Sequence, residues 1–305
     1  MITNHPKFDQ FSNPRHIEAI SIGNIAFESL KSEMEGEIHG VTSQGIFIKT
    51  TGRWLHFLSF EPQYGPLTIN LPVTNLPEIP LHNGMRVRIA SGQISVLEAN
   101  LVIRVNNAFV WQPGPPSSHP LPAAERAARI RLAGEKIITS SQGNGLSSIL
   151  PYLLKLPDHK NFDIQEITHP YINILHKQRY MGGLPSTASI AGLLGSGPGL
   201  TPSGDDFTIG LLLAVNRWET ELLPGHNLDL YNRKIVDAAY QTTTTLSANL
   251  IECAAQGLGD QRLIEALDWL MSGTGQDNHV IDNLLTWGSS SGSDVFVGYV
   301  VALSP

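Results

Sequence analysis

A proline-rich segment limits how this chain can fold. Residues 112–122 read Q-P-G-P-P-S-S-H-P-L-P, so five of eleven positions are proline. Proline lacks a main-chain donor and holds φ fixed, which disfavours both a continuous helix and an interior strand. We interpret the segment as a stiff, non-helical linker between residues 1–111 and residues 123–305. The pattern of apolar residues changes across it.

The first part has the features of a β-rich domain. Short apolar runs, several of them alternating with polar residues, are typical of strands, and Gly65-Pro66 and Asn83-Gly84 are typical of turns between them. The runs are 45–49, 54–57, 67–71, 85–89 and 101–105. We predict a small antiparallel barrel or sandwich over residues 1–111. No catalytic constellation is evident there, so its predicted role is scaffolding, covering the site or contacting a partner.

Apolar residues at helical spacing predict a mostly α-helical domain over residues 123–305. The predicted helices include 123–134, 145–156, 164–180, 186–194, 205–218, 231–256, 261–271, 277–287 and 295–303. The fold class predicted for the whole chain is therefore α+β, with a β-rich N-terminal barrel or sandwich followed by a mostly helical domain.

Composition excludes several classes of function. The formal charge is -7 at pH 7, and no Lys/Arg run is present, which argues against a nucleic-acid partner. No apolar stretch is long enough to span a bilayer, and the first residues lack a secretory signal, so we predict a cytoplasmic protein without a membrane partner. The single cysteine, Cys253, excludes an intramolecular disulfide and is predicted to be a core residue.

The densest group of chemically active residues lies in the sequence G-S-G-P-G-L-T-P-S-G-D-D-F, which begins at Gly195 and leads into an apolar helix. Glycines at alternate positions allow positive φ and close approach to a ligand. With Pro202 at the first helical position and Thr201 or Ser203 as N-cap, the free amides of the helix start would bind a phosphate or carboxylate. The candidate anion-binding residues are Gly195, Gly197, Gly199, Thr201, Ser203, Gly204 and Asp205.

The two adjacent acids admit several interpretations. Asp205 or Asp206 could hold a divalent cation such as magnesium that bridges to a phosphate, accept hydrogen bonds from a substrate amide, or cap the helix. Ser203 and Asp206 also form S-x-x-D, a variant of the capping box, so part of the motif would serve the helix itself. We assign no residue as a metal ligand, and the sequence requires no cofactor.

A second loop resembles the first. With Ser203 aligned to Ser291, residues 202–215 and 290–303 share five identical positions, including Gly204/Gly292, Asp206/Asp294 and Gly210/Gly298. Small residues on one stripe would let the two helices pack closely and bring both loops to the same end. This ranks Asp206 and Asp294 as catalytic candidates. Ser290, Ser291 and Gly292 join the predicted site. Chance convergence on a short S-G-x-D motif is the alternative.

The sequence Q-T-T-T-T-L-S, residues 241–247, lies inside the predicted helix 231–256. Thr243 and Ser247 are four residues apart and would share a face, where their hydroxyls could bind a small polar substrate. The alternative is that these hydroxyls bond back to carbonyls of their own helix.

The glycine-to-aspartate motif, the Thr/Ser-rich helix and the C-terminal S-S-G-x-D before a last helix together resemble the AllH family. The resemblance implies a subunit of an oxamate carbamoyltransferase of anaerobic allantoin breakdown, working with an FdrA-like subunit and a third protein. It implies carbamoyl phosphate and a small carboxylate amide such as oxamate as substrates. Asp206 or Asp294 would accept from an amide nitrogen or act as base.

Two other hypotheses remain open at this point. One is a nonenzymatic subunit that binds an anion or metabolite within a larger complex. The other is a metal-dependent phosphotransferase that uses Asp205 and Asp206 as ligands. The sequence also leaves open whether the chain forms a homo-oligomer.

Overall fold

A computed structural model of the chain describes residues 14–72, 80–141, 144–156, 170–174, 184–274 and 279–303. Contacts divide the chain into two compact units, Met1–Gln112 and Pro113–Pro305. Each unit has its own hydrophobic core.

The first unit is a β-sheet with one short helix. Its described elements are β1 (Arg15–Glu18), β2 (Ser21–Gly23), α1 (Asn24–Ser29), β3 (Met34–Val41), β4 (Gly45–Thr50), β5 (Leu55–Ser59), β6 (Thr68–Asn70), β7 (Arg86–Ala90), β8 (Gln93–Val96), β9 (Leu101–Arg104) and β10 (Phe109–Trp111). All five apolar runs predicted as strands overlap observed strands.

The described strands form one curled sheet in the order β1-β9-β8-β7-β3-β4-β5-β6-β2-β10. Neighbours from β9 to β5 are antiparallel, whereas β1-β9, β5-β6 and β2-β10 are parallel pairs. Along β7 the side chains of Val87 and Ile89 are buried and those of Arg86 and Arg88 are exposed. This period of two places one face of the strand against the core.

The second unit is helical. Its described helices are α2 (Ala123–Ser141), α3 (Leu150–Leu153), α4 (Thr187–Ala191), α5 (Ser203–Arg217), α6 (Glu219–Leu222), α7 (Asp229–Thr242), α8 (Thr245–Ala254), α9 (Gln261–Ser272), α10 (Val280–Leu285) and α11 (Ser291–Leu303), with a 3₁₀ turn at Gly145–Ile149. The α+β prediction is thus confirmed. Among the described residues, no helix has the length and apolar character needed to cross a membrane.

Two predicted helices and the predicted linker differ from the structure or extend beyond the residues that it describes. The single helix predicted over 231–256 is wrong, because the chain is extended at Thr243 and Thr244 caps a new helix. Of the predicted helix 164–180, residues 170–174 are helical and the rest lies outside the described residues. The predicted linker packs on the helical unit, since the guanidinium of Arg217 donates to the Gly114 carbonyl at 2.9 Å.

Helices α5 and α11 cross in close contact at two glycines. A Cβ added to Gly210 would overlap the carbonyl oxygen of Val295, and one added to Gly298 would overlap that of Phe207. Both helices are buried over most of their length. The pairing predicted from the repeated Gly210/Gly298 positions is confirmed, and the contact is reciprocal.

The glycine contact predicts an inverted response to substitution. Gly→Ala inside a helix ordinarily stabilises a protein by about 1 kcal/mol. We expect Gly210→Ala or Gly298→Ala instead to lower the free energy of unfolding by about 1–3 kcal/mol, because the added methyl group forces the helices apart. Urea denaturation would measure it. Gly114→Ala, where a Cβ meets nothing within 4 Å, is the control, and a stabilised Gly210→Ala protein would contradict the expectation.

Candidate functional site

The glycine loop before α5 has the backbone conformation that its sequence indicates. Gly195, Gly197 and Gly199 have φ of 73°, 119° and 100°, a region that favours glycine. The prediction for the start of α5 is wrong in detail. Pro202 is the N-cap, Ser203 is the first helical residue, and no side chain caps the helix. The Ser203/Asp206 capping box does not form.

The amides at the start of α5 are largely occupied. The amide of Gly204 donates to the Ser196 carbonyl at 2.9 Å, and those of Asp205 and Asp206 donate to the Pro202 carbonyl at 2.9 and 3.1 Å. An anion on this helix would therefore rely mainly on groups ahead of Gly204. The helix start offers fewer free donors than the sequence predicts.

Asp205 ties the glycine loop to the end of α7. Its Oδ1 accepts the Gly195 amide at 2.8 Å, and its Oδ2 accepts the hydroxyl of Thr243. The side chain is fully buried. Both oxygens thus have partners within the chain, which supports a structural role for Asp205 and argues against its use as a magnesium ligand.

The hydroxyls of residues 243–247 also hold the loop. The Thr244 hydroxyl donates to the Leu200 carbonyl at 2.8 Å, and that of Ser247 donates to the same oxygen at 3.4 Å. Thr243 lies against Asp205. Thr243 thus bonds to α5 and Ser247 to the glycine loop, and their contact with a substrate stays a prediction.

Asp206 is the least satisfied polar side chain of the site. It is 1 % exposed, and no hydrogen bond of ordinary geometry reaches either carboxylate oxygen from the described residues. Burial raises its pKa well above the usual range, and the nearby Asp294 raises it further, while the hydroxyls of Ser291 and Thr201 oppose the rise. Burial therefore makes this carboxyl harder to ionise than a solvent-exposed aspartate.

Asp294 lies at the start of α11. Its Oδ1 accepts the Leu146 amide at 2.6 Å, whereas its Oδ2 has no partner among the residues described. Gly145, with φ of 60°, lies against the same carboxylate, and a Cβ there would overlap it. Burial raises the pKa of Asp294 to about 6, against the lowering effects of the Leu146 amide and of two hydroxyls, Ser203 and Ser290.

The two half-sites face one another reciprocally. Ser291 lowers the pKa of Asp206, and the equivalent Ser203 lowers that of Asp294, so each carboxyl lies near the first serine of the opposite helix. The hydroxyl oxygens of Thr201 and Ser291 are 3.1 Å apart. The loops therefore meet at the same end of the helix pair.

The backbone contacts of the two half-sites are also equivalent. A Cβ on Gly204 would overlap the Leu193 carbonyl oxygen, and one on Gly292 would overlap the Leu284 carbonyl oxygen. The Gly292 amide donates to the Trp287 carbonyl at 2.9 Å, as the Gly204 amide donates upstream in its own loop. The segments from α4 to α5 and from α10 to α11 thus have a common helix-loop-helix construction, which favours duplication over chance convergence.

Sequence reasoning missed Tyr171. The side chain is fully buried, its ring packs edge-on against Phe207 at 5.4 Å, and its hydroxyl has no partner among the described residues. Burial raises its pKa, and the carboxylates of Asp294, Asp205 and Asp206 raise it further, so the hydroxyl lies close to all three acids. It remains a neutral hydrogen-bond donor. Nothing in the local sequence marks this tyrosine.

The segment at Gly145 was also missed, because it was predicted only as the start of a leucine-rich helix. Its contribution is a backbone amide, that of Leu146, together with the absence of a side chain at Gly145. In the sequence, Gly145 and Leu146 look like the residues of an ordinary turn.

The acids lie beneath an exposed rim. Residues 197–200 and 288–289 are exposed, whereas Ser203, Asp206, Ser291 and Asp294 are buried. Within the described ranges, no group of three or more His, Cys, Asp or Glu side chains could hold a metal ion. A polar cavity of about 350 Å³, lined by Asn216, Asp229, Asn232 and neighbouring residues, lies elsewhere in this unit and contains none of the paired acids.

Residues 193–303 match the sequence model of a family described as oxamate carbamoyltransferase subunit AllH. The match supports the resemblance to the AllH family over this segment. The match begins at Leu193, against whose carbonyl Gly204 packs, and ends at the last residue of α11. The matched segment therefore contains both loops and both helices of the candidate site, but neither Tyr171 nor Gly145. No solved structure matches the chain.

The contact between Thr243 and Asp205 predicts unequal effects at neighbouring threonines. Thr243→Val removes the hydroxyl and leaves a buried carboxylate oxygen without its donor, which costs about 1–3 kcal/mol. Thr242→Val is the matched control, since that exposed hydroxyl donates to the Ala238 carbonyl of its own helix. Urea denaturation should show the larger loss for Thr243→Val. Equal losses would show that the bond from Thr243 to Asp205 does not hold the glycine loop to the end of α7.

The raised pKa of Asp294 predicts a pH-dependent stability. Because the pKa rises from 3.8 to about 6 on folding, the folded protein holds this proton more tightly than the unfolded chain. The resulting stabilisation is full below about pH 4 and is lost as the pH rises through about 6. Relative to Asp294→Asn, the wild-type free energy of unfolding should fall by up to about 3 kcal/mol over that interval.

Asn at position 294 retains an oxygen that can accept the Leu146 amide but does not titrate, so the difference isolates the proton. Denaturant titrations at closely spaced pH values would give both curves. Parallel curves across this interval would show that the Asp294 carboxyl does not take up a proton on folding.

Proposed function

We propose that the chain is a subunit of a carbamoyltransferase that acts on carbamoyl phosphate and a small carboxylate amide such as oxamate. The observation that carries the proposal is the coincidence of the AllH match with the two half-sites. Their paired acids Asp206 and Asp294 have oxygens that no described residue hydrogen-bonds, and exposed loops lie above them. Because the family is described as a subunit, we propose that the chain works within a complex, with an FdrA-like subunit as its partner.

The proposed chemistry needs acceptors for N–H groups and a base. The amide nitrogen of oxamate attacks the carbamoyl carbon, a C–N bond forms, and the bond from that carbon to the phosphate oxygen breaks. Phosphate leaves with the electron pair, and the nitrogen loses one proton. Asp206 or Asp294, when ionised, accepts that proton, since a positioned carboxylate acts as general base in such steps. The product is N-carbamoyl oxamate, called oxalurate.

The glycine loop supplies the setting for the phosphate. Gly197 and Gly199 are exposed and have positive φ, and Thr201, whose hydroxyl lies near that of Ser291 in the opposite half-site, follows two residues later. Because the Gly204 amide is already bonded, we place the phosphate on the loop ahead of the helix rather than on the first helical turn. The acids then face the nitrogen end of the substrates, which removes the conflict between adjacent acids and a bound anion.

The test is turnover by the chain alone and together with its FdrA-like subunit and the third protein, supplied with carbamoyl phosphate and oxamate. Oxalurate and phosphate should form in equal amounts. Asp206→Asn and Asp294→Asn should each lower kcat by about 100-fold or more, because each removes a carboxylate from the site. The control is Asp282→Asn, an exposed acid paired with Lys136 outside the site.

No product in any combination of subunits would overturn the proposed activity. Stabilisation of the folded chain by carbamoyl phosphate or oxamate, without turnover in any combination, would favour a nonenzymatic metabolite-binding subunit.

A further inference from the structure

The paired acids offer an unusual set of acceptors. Both oxygens of Asp206 and Oδ2 of Asp294 accept no hydrogen bond of ordinary geometry from any described residue, and both side chains are at least 99 % buried. Leaving a buried polar atom without a partner costs about 1–3 kcal/mol. The hydroxyls of Thr201, Ser203 and Ser291 lie near these three atoms without meeting hydrogen-bond geometry. A ligand that supplies hydrogen-bond donors would satisfy all three.

The acceptors belong to two equivalent half-sites. Asp206 and Asp294 occupy the same position in the two helix-loop-helix segments, and each lies near the first serine of the opposite helix. The reciprocal contacts of Gly210 and Gly298 give the helix pair the same approximate two-fold relation. A ligand that uses both carboxylates equally should present N–H donors on two sides of a central atom.

A ureido group, H₂N–CO–NH–, has this form. Its two nitrogens flank one carbonyl carbon, and both act as hydrogen-bond donors and not as acceptors. In the carbamoyl transfer described above, the nitrogen of the carbamoyl group and the nitrogen of the acceptor take up these two positions as the new C–N bond forms. The acceptor pattern of the site therefore matches the group that the reaction creates.

Resting on the proposed function, we propose that Asp206 and Asp294 bind the two nitrogens of a ureido group, one carboxylate to each nitrogen. Each carboxylate accepts N–H bonds from its own nitrogen, and the carboxylate end of oxalurate extends toward the exposed loops. The pair thereby selects substrates in which both the group transferred and the group that receives it carry nitrogen.

This arrangement explains why two acids are needed. One carboxylate would suffice as a base, and a helix start needs at most one acid as a cap. Recognition of two nitrogens across a carbonyl requires an acceptor on each side. It also predicts discrimination, because a site built to accept N–H bonds rejects analogues that lack them far more strongly than a hydrophobic pocket rejects a missing methylene.

The closing experiment measures binding to the full chain, alone and in its complex, by calorimetry. The probes are oxalurate, oxalurate carrying two methyl groups on its terminal nitrogen, oxalate, and magnesium chloride alone. Oxalurate should bind the wild-type protein at least about tenfold more tightly than the dimethyl derivative or oxalate. The methylated probe tests the proposal on the unaltered protein, so it does not depend on the folding of any variant.

The protein variants give the matched comparison. Asp206→Asn and Asp294→Asn should each weaken oxalurate binding at least about tenfold and leave the weaker binding of oxalate unchanged, whereas Asp282→Asn should change neither. Equal affinity for oxalurate and its dimethyl derivative would overturn the proposal. So would magnesium alone binding the wild-type protein and neither Asn variant, because the carboxylates would then be cation ligands.

Failure of this proposal and failure of the proposed function give different results. If the complex makes oxalurate but binding ignores both methylation and the two Asn variants, the ureido assignment fails and the activity stands. If no turnover occurs but oxalurate binds with the expected selectivity, the activity fails and the assignment of the two nitrogens stands.

Discussion

The contact between Gly210 and Gly298 determines the geometry of the site. Because neither residue has a side chain, each helix brings its backbone against the carbonyl oxygens of the other. Asp206 and Asp294 lie one turn before these glycines, so the closeness of the crossing brings the two carboxyls together. Larger residues at the crossing would separate the helices, and the acids would then lie apart.

The proximity that the helix crossing imposes on the acids is energetically costly. Two buried carboxylates near one another cannot both ionise easily, since burial and the neighbouring charge both favour the neutral form. Burial raises the pKa of both Asp206 and Asp294, and the charge of Asp294 raises the pKa of Asp206 further. A ligand that donates N–H bonds to both acids lowers the cost of ionising them, so binding of such a ligand and readiness to accept a proton are coupled. Perturbed carboxyls of this kind concentrate at functional sites.

Much of this arrangement could be predicted from the sequence because it depends on local patterns. The repeat that joins Ser203, Gly204 and Asp206 to Ser291, Gly292 and Asp294 predicts the helix pair and its shared end. The positive φ of the loop glycines follows from their spacing. The break at Thr243 could not be predicted, because its extended conformation depends on a bond to Asp205, distant in sequence.

The contacts of Tyr171 and Leu146 with the acids could not be predicted from the sequence either. A tyrosine in a helical segment and a backbone amide in a turn gain meaning only when tertiary packing places them against the acids. Their neighbours in the sequence contain no acid, repeat or glycine-rich motif comparable with those of the two loops. Contacts between residues far apart in the chain are the part of a site that local pattern cannot supply.

The adjacent residues Asp205 and Asp206 have different roles, because their side chains leave the helix in different directions. Successive residues in a helix point about 100° apart. Asp205 therefore meets Gly195 and Thr243, while Asp206 faces the start of α11. The first acid fixes the glycine loop, and the second has no hydrogen-bond partner among the residues that the structure describes. The loop that Asp205 holds forms the rim over Asp206. Asp205 therefore keeps in place the surface through which a substrate would reach Asp206.

The second half-site is supported differently. Ser293 stands at the position that corresponds to Asp205, and the carboxylate of Asp294 accepts the Leu146 amide. Each half-site therefore contributes one carboxylate, and the two differ in how that carboxylate is supported.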